Sequence, residues 1–148
     1  MTLLFGPTYK VAIAAIGVAL LNVVALPFAY VLLLIPFMEH DRHGVGIEPN
    51  WVGHLAHYAT AVVLSAIAGS MLGNSKGVRA SHGLAAGILG GLLRATIHYG
   101  SETLRGYPPT ELGALLLDVG LCVLAYAPAM LFFCARAARR RAQAEPQF

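Results

Sequence analysis

Charged residues are scarce in this chain: Asp, Glu, Lys and Arg together make up 11% of its 148 residues. Soluble globular domains contain about 25% of these residues. Hydrophobic residues make up 57% of the chain, and its mean hydropathy is +0.68. This composition excludes a soluble globular domain and a disordered chain, and it indicates a protein that lies mostly in lipid.

Cysteine is also scarce, with two residues, Cys122 and Cys134, in one late apolar stretch. Twelve positions on one helix separate them by about 18 Å. A disulfide cannot bridge that distance. The sequence therefore excludes a disulfide scaffold, and it predicts that both cysteines are small apolar packing residues.

Long apolar runs dominate the remaining sequence. A membrane-spanning helix needs roughly 20 mostly apolar residues, so four spans and their connections would use the whole length. The first run is longer than a signal-peptide core and has no small-residue cleavage site, so we expect a retained span. We predict an all-α polytopic membrane protein with four transmembrane helices in an antiparallel bundle, forming one domain. The predicted spans are 10–37, 51–72, 81–101 and 111–135, followed by a basic cytoplasmic tail at 136–148.

The basic residues concentrate on one side of this predicted bundle. Seven of them fall there: Lys10, Lys76, Arg79, Arg136, Arg139, Arg140 and Arg141. Arg42 and Arg105 fall on the other side, and Arg94 lies within the third span. The positive-inside rule then predicts that both termini are cytoplasmic, in a bacterial-type inner membrane. A topology signal and contact with anionic lipids explain the basic tail without nucleic acid.

Most acidic residues and histidines fall on the opposite, external side. The external acidic residues are Glu39, Asp41, Glu48, Glu102 and Glu111. The external histidines are His40, His43, His54, His57 and His98. Antiparallel packing brings the start of span two, the end of span three and the start of span four to one membrane depth. The sequence therefore predicts a polar cluster at the outer end of the bundle.

Helical phase places polar and small residues on shared faces of spans two, three and four. The third span, for example, aligns its glycines with Arg94 and His98, and the fourth aligns Asp118 with Cys122. Small faces are where membrane helices approach closely, so these ionisable groups should point into the bundle. Arg94 and Asp118 are predicted to pair. Such a pair either fixes the helix register or belongs to an outward-open cavity that His54, His57 and His98 also line.

Metal and haem binding are two of the chemistries that these residues allow. His54, His57, His98 and Glu102 are candidate ligands for a transition metal, since imidazole and carboxylate suit zinc, iron or copper. His57 and His98, on neighbouring spans, could ligate haem axially. The sequence contains no His-Glu-x-x-His run, and the small-residue faces do not provide the wide slot that haem needs.

Anion binding and acid–base chemistry form a further alternative. Arg94 is the natural contact for a phosphate or carboxylate, with His57, Tyr58, Arg105 and Glu111 as further ligand-binding candidates. Histidines titrate near neutral pH, and carboxylates act as bases or orienting groups. The catalytic candidates are His54, His98, Glu102 and Asp118. No motif marks a serine, cysteine or threonine nucleophile, so the sequence leaves open whether the protein is an enzyme.

The start of span two, residues 50–58, resembles the first motif of VanZ-like membrane proteins. His54 and Tyr58 match that motif, whereas Asn50 and Trp51 stand where the family has Asp and Lys. The segment from 98 to 118 follows the order of the second motif, with Arg105 in the loop but without its glutamine and asparagine. The resemblance implies a role in the cell envelope or in the response to glycopeptide-type antibiotics, and it implies functional roles for His54, Arg105 and Glu111.

Taken together, the sequence predicts a small inner-membrane protein whose outward pocket binds, and in one version acts on, a polar headgroup or lipid-linked envelope ligand. The alternatives are a non-enzymatic metal- or haem-binding subunit of a larger membrane complex and an oligomeric transporter or channel. The expected partners are membrane lipids and either further copies of this chain or other membrane subunits.

Overall fold

The computed structural model describes residues 6–38, 50–106, 108 and 111–144, and nearly all of these residues are helical. The helices are α1 (Pro7–Met38), α2 (Asn50–Gly73), α3 (Ala80–Leu104) and α4 (Leu112–Ala144). These ranges contain no strand, which confirms the predicted all-α class. α1, α2 and α3 begin and end within a few residues of the predicted spans.

The predicted basic tail at 136–148 begins as a continuation of the fourth helix. α4 continues without a break from Leu112 to Ala144, so the arginines from 136 to 141 extend the helix by more than two turns. Arginine and alanine are strong helix formers, and they dominate this segment. Basic side chains near a helix C-terminus also interact favourably with its dipole.

Three of the four helices are long and apolar enough to cross a membrane, over Pro7–Leu33, Val52–Gly73 and Leu112–Ala144. They expose many large apolar side chains, including Ile13, Leu32 and Leu117. Such surfaces are typical of helices that face lipid tails. α3 falls outside this group because glycines, Arg94 and two histidines lower its hydropathy.

α1 and α4 each pack against α2 and α3, and α2 and α3 also contact each other. α1 and α4 lie on opposite corners, with no close backbone approach between them within the described ranges. Gly69 and Gly73 of α2 lie against successive turns of α4, and Gly83 and Gly91 of α3 meet α4 in the reverse order. α2 and α4 are therefore parallel and α3 is antiparallel to both, as the predicted antiparallel bundle requires.

α3 approaches α4 closely along a seam of glycines. A Cβ on Gly87 would lie 2.5 Å from the Cα of Ala127, and one on Gly91 would lie 2.8 Å from the Cα of Val123. No residue larger than glycine fits at these positions without movement of the backbone. The small-residue face predicted for α3 is therefore the face that packs on α4.

Two contacts tie the short turn between α2 and α3 to the rest of the bundle. Lys10 of α1 donates to the carbonyl oxygen of Lys76 over 3.2 Å. The backbone N–H of Arg79 donates to Nδ1 of His82 over 2.9 Å at the start of α3. We call this end, where α2 ends and α3 begins, the basic end, and the opposite end the histidine end.

Candidate functional site

A cavity of about 190 Å³ opens at the histidine end, where α2 begins and α3 ends. All four helices contribute to its walls. The residues that line it are Leu26, Gly53, His54, His57, Tyr58, Arg94, His98, Asp118 and Cys122. His54 and His98 are exposed, whereas Arg94 is 7% exposed and lies towards the bundle interior.

The five residues predicted to share one cavity, His54, His57, Arg94, His98 and Asp118, all line it. Helical phase places them on inward faces, and the antiparallel order of the helices brings these faces to one end. Tyr58, predicted as a ligand-binding residue, also lines the cavity.

Arg94 does not pair with Asp118, so the predicted ion pair is wrong. Its Nε donates to Oδ1 of Asn22 over 2.9 Å, in a buried contact between α3 and α1. The single ion pair within the described ranges joins His98 and Glu102, so no carboxylate there lies within ion-pair distance of Arg94. The sequence indicated Asp118 as the partner of Arg94 because the two charges are opposite. It could not show that α1 brings the side-chain amide of Asn22 within hydrogen-bond distance of Arg94.

Asp118 instead accepts a hydrogen bond from the hydroxyl of Tyr99, with 3.2 Å between the two oxygens. Sequence reasoning missed Tyr99 because it lies about 100° around α3 from His98, off the polar face. Its side chain reaches α4 because α3 and α4 pack closely. The carboxylate of Asp118 thus has a neutral partner on one side and the cavity on the other.

The histidines of α2 are held by aromatic and sulfur contacts. The ring of His54 stacks on that of Tyr58 with 6.5 Å between centroids, and His57 meets Tyr58 edge-on at 5.2 Å. Nε2 of His57 lies 3.7 Å from Sγ of Cys122. Cys122 and Cys134 are both free thiols, as the sequence predicted. These contacts fix one wall of the cavity.

Three predicted site residues do not line the cavity: Glu102, Arg105 and Glu111. Glu102 lies 3.5 Å from Nε2 of His98, one turn along α3, and both side chains are partly exposed. Arg105 and Glu111 are exposed at the ends of α3 and α4. His40 and His43, in the predicted outer loop, lie outside the described residues.

The four candidate metal ligands are not assembled into a metal site. His54, His57 and His98 line the cavity while Glu102 lies outside it. In the part of the chain that the structure describes, no three His, Cys, Asp or Glu side chains come close enough to hold a metal ion. The spacing of ligands along each helix was compatible with a metal, but the described helices do not bring three ligands together.

A buried polar layer lies beneath the cavity, and the sequence analysis did not identify it. Asn22, Ser65 and Tyr126 are each 0% exposed and come from α1, α2 and α4. Gly69 of α2 lies against Met130 of α4. Ser65 precedes Gly69 by four positions and Tyr126 precedes Met130 by four, so in these parallel helices Ser65 and Tyr126 lie at one level. The Nδ2 of Asn22 and the hydroxyls of Ser65 and Tyr126 have no hydrogen-bond partner. Buried groups of this kind are normally paired, so the layer has unused hydrogen-bonding capacity.

Comparison with known proteins gives no match to a family model, a curated protein or a solved structure.

Proposed function

We propose that this chain is a four-span protein of a bacterial-type inner membrane whose outward cavity binds the anionic part of a polar headgroup or lipid-linked envelope ligand. Both termini lie in the cytoplasm, and the histidine end faces outwards. The excess of basic residues at the other end supports this orientation.

The position of α3 supports its assignment as a fourth span. Its 25 residues correspond to about 37 Å of helix, more than the roughly 30 Å of a bilayer core. It packs on α1 and α4, both of which are apolar enough to cross the membrane. Its Arg94 is buried against them and therefore does not face lipid.

The proposed ligand class rests on a single observation: Arg94 lines the cavity, is 7% exposed and has an amide oxygen as its side-chain partner. A buried charge is normally neutralised by a partner of opposite charge. The guanidinium also has four further N–H donors, whose planar arrangement matches the oxygens of a phosphate or carboxylate. An anionic ligand group would supply the missing charge.

The buried polar layer supports the same class of ligand. Its unpartnered atoms, Nδ2 of Asn22 and the hydroxyls of Ser65 and Tyr126, can all act as hydrogen-bond donors. Arg94 connects the cavity to this layer through Asn22. The interior next to the guanidinium is therefore rich in donors, which favours an anion.

The cavity volume favours a small group. Its volume of about 190 Å³ is below the roughly 300–1,000 Å³ typical of pockets for drug-sized molecules. A single phosphate-bearing headgroup matches this volume, whereas a haem macrocycle does not. Lipid chains attached to such a headgroup would lie outside the cavity, along the apolar surface.

The resemblance to VanZ-like proteins supports a role in the cell envelope. His54 and Tyr58, the two residues that match the first motif, both line the cavity. His54, His98 and Asp118 line the same cavity, and such groups can transfer protons, so acid–base chemistry on the ligand belongs to this proposal.

Titration of the purified protein with glycerol 3-phosphate tests the proposal. This probe carries the phosphate of a headgroup without acyl chains. The single tryptophan, Trp51, precedes His54 by three positions, so its fluorescence reports on the histidine end. We expect saturable binding to the wild type and at least a tenfold loss of affinity in Arg94→Gln.

Arg105→Gln is the matched control, since it removes the same charge from the same end at a residue outside the cavity. Arg94→Lys retains the positive charge but loses the planar set of guanidinium donors. We expect this variant to bind glycerol 3-phosphate with intermediate affinity. Circular dichroism establishes that each variant is folded. Equal affinity in folded Arg94→Gln and wild-type protein, or equal losses in Arg94→Gln and Arg105→Gln, would refute the proposal.

A further inference from the structure

A second cavity, of about 340 Å³, lies between α2 and α4 at the basic end of the bundle. Ser70, Asn74, Phe133, Arg136, Ala137 and Arg140 line it. Arg136 and Arg140 are four positions apart on α4, which separates them by about 6 Å along one helix face. The cavity thus combines two cations with the half-buried aromatic ring of Phe133, one turn closer to the middle of the helix.

Arg141, in the same basic segment, is already engaged elsewhere. It donates to the carbonyl oxygen of Gly73 over 3.4 Å and to that of Ser75, at the end of α2. The C-terminus of a helix carries a partial negative charge that repels anions. Arg141 offsets that negative charge next to the cavity. Arg136 and Arg140 are the two cations that line the cavity.

Within the described residues, no acidic side chain forms an ion pair with Arg136 or Arg140. α2 contains no Asp or Glu, and the single acidic residue of α4 is Asp118, at the histidine end. The hydroxyl of Ser70 donates to the carbonyl oxygen of Ala66 over 2.8 Å, so it does not supply a donor to the cavity. The two guanidiniums are therefore the charged groups that would select a ligand, and the side-chain amide of Asn74 is their neutral neighbour in the cavity.

We propose that this cavity binds the phosphate of an anionic glycerophospholipid, held by Arg136 and Arg140, with the glycerol and the start of an acyl chain over Phe133. Basic pockets between membrane helices near the cytoplasmic surface bind anionic headgroups in this way. Arginine matches the oxygens of phosphate through its planar fork. This site lies at the other end of the bundle and does not depend on the ligand of the first cavity.

Native mass spectrometry of the full chain, with dioleoyl phosphatidylglycerol and dioleoyl phosphatidylcholine as probes, tests this assignment. We expect the wild type to retain phosphatidylglycerol in preference to phosphatidylcholine. Arg136→Gln and Arg140→Gln should each weaken phosphatidylglycerol binding roughly fivefold, the effect of one basic group near the membrane surface.

Arg139→Gln is the matched control, since it removes one charge from the same turn of α4 at a residue that does not line the cavity. We expect its affinity for phosphatidylglycerol to stay within twofold of wild type. Equal losses in all three variants would mean that general basic charge attracts the lipid, and would overturn the site. Equal retention of both lipids by the wild type would overturn the anionic preference.

Inorganic phosphate serves as the third probe. If millimolar phosphate displaces phosphatidylglycerol, the site recognises a free anion and the lipid assignment is wrong. Continued lipid binding under those conditions supports it. Arg136→Lys retains the charge and should recover part of the affinity, which separates loss of the contact from loss of folding.

Discussion

Arg94 donates a hydrogen bond from its Nε to Oδ1 of Asn22 over 2.9 Å, and this contact joins α3 to α1 in the buried interior of the bundle. A guanidinium with an amide partner keeps its positive charge available to the adjacent cavity. The same contact turns Nδ2 of Asn22 away from Arg94, towards a buried position without a partner. The anion recognition proposed for Arg94 and the packing of α3 on α1 therefore involve the same pair of residues.

Asn22→Ala should destabilise the protein by about 1.5–3 kcal/mol, because it leaves the buried Nε–H of a charged group without an acceptor. Thermal unfolding in detergent, followed by circular dichroism, measures this effect. Asn74→Ala removes the same side chain from an exposed position at the end of α2 and should change stability little. Equal effects of the two substitutions would show that the Arg94–Asn22 contact does not stabilise the fold.

Gly87→Ala should destabilise the bundle by about 1–3 kcal/mol, the range for overpacking. Its new Cβ would lie 2.5 Å from the Cα of Ala127, which is backbone and cannot move alone. Gly100→Ala is the control, because no described atom outside the local helix backbone lies within 4 Å of its added Cβ. Alanine is favoured over glycine within a helix, so Gly100→Ala should leave stability unchanged or raise it. Thermal unfolding should therefore show a lower midpoint for Gly87→Ala and an unchanged or higher one for Gly100→Ala. Wild-type stability in Gly87→Ala would contradict the close α3–α4 seam.

Asp118→Asn should strengthen binding of glycerol 3-phosphate several-fold, because it removes a negative charge from a cavity proposed to bind an anion. An asparagine oxygen can still accept the hydrogen bond from Tyr99, so the substitution changes charge more than geometry. Glu102→Gln removes an acidic charge from the same end, outside the cavity, and should have the smaller effect. The Trp51 fluorescence titration measures both variants, and weaker binding by Asp118→Asn would count against an anionic ligand.

Cysteine labelling from the two sides of the membrane tests whether α3 spans it. Ser75→Cys precedes α3 and Thr103→Cys lies near its end, so a membrane-impermeant maleimide should reach Thr103→Cys from outside and Ser75→Cys from the cytoplasm. The native Cys122 and Cys134 are buried, so the unmodified chain provides a low background. Labelling of both sites from the same side would contradict a fourth span and the proposed topology.

Much of the architecture could be predicted from the sequence, because a lipid environment allows few backbone conformations. A segment in lipid must satisfy its backbone hydrogen bonds internally, so long apolar runs become helices. Their lengths gave the bounds of α1, α2 and α3 to within a few residues. The period of 3.6 residues placed His57, Arg94 and Asp118 on inward faces, and the antiparallel order brought those faces together.

The end of α4 was less predictable, because a basic segment after an apolar run is compatible with a solvated tail as well as with a continued helix. The contacts of Arg141 with the end of α2 depend on that continuation. The sequence of α4 gives no indication of which arginine binds a carbonyl and which two line a cavity.

The sequence by itself thus determined which residues are helical, which end is polar and which side chains face inwards, because hydropathy and helical period are local properties. The tertiary structure decided which partner each inward group has. Arg94 contacts Asn22 and Asp118 contacts Tyr99. Among the described residues, no three of the proposed metal ligands meet. These outcomes depend on the rotation and spacing of the packed helices, which close contacts such as Gly87 against Ala127 determine. Those contacts join residues that are far apart in the chain, so the local periodicity of the sequence does not predict them.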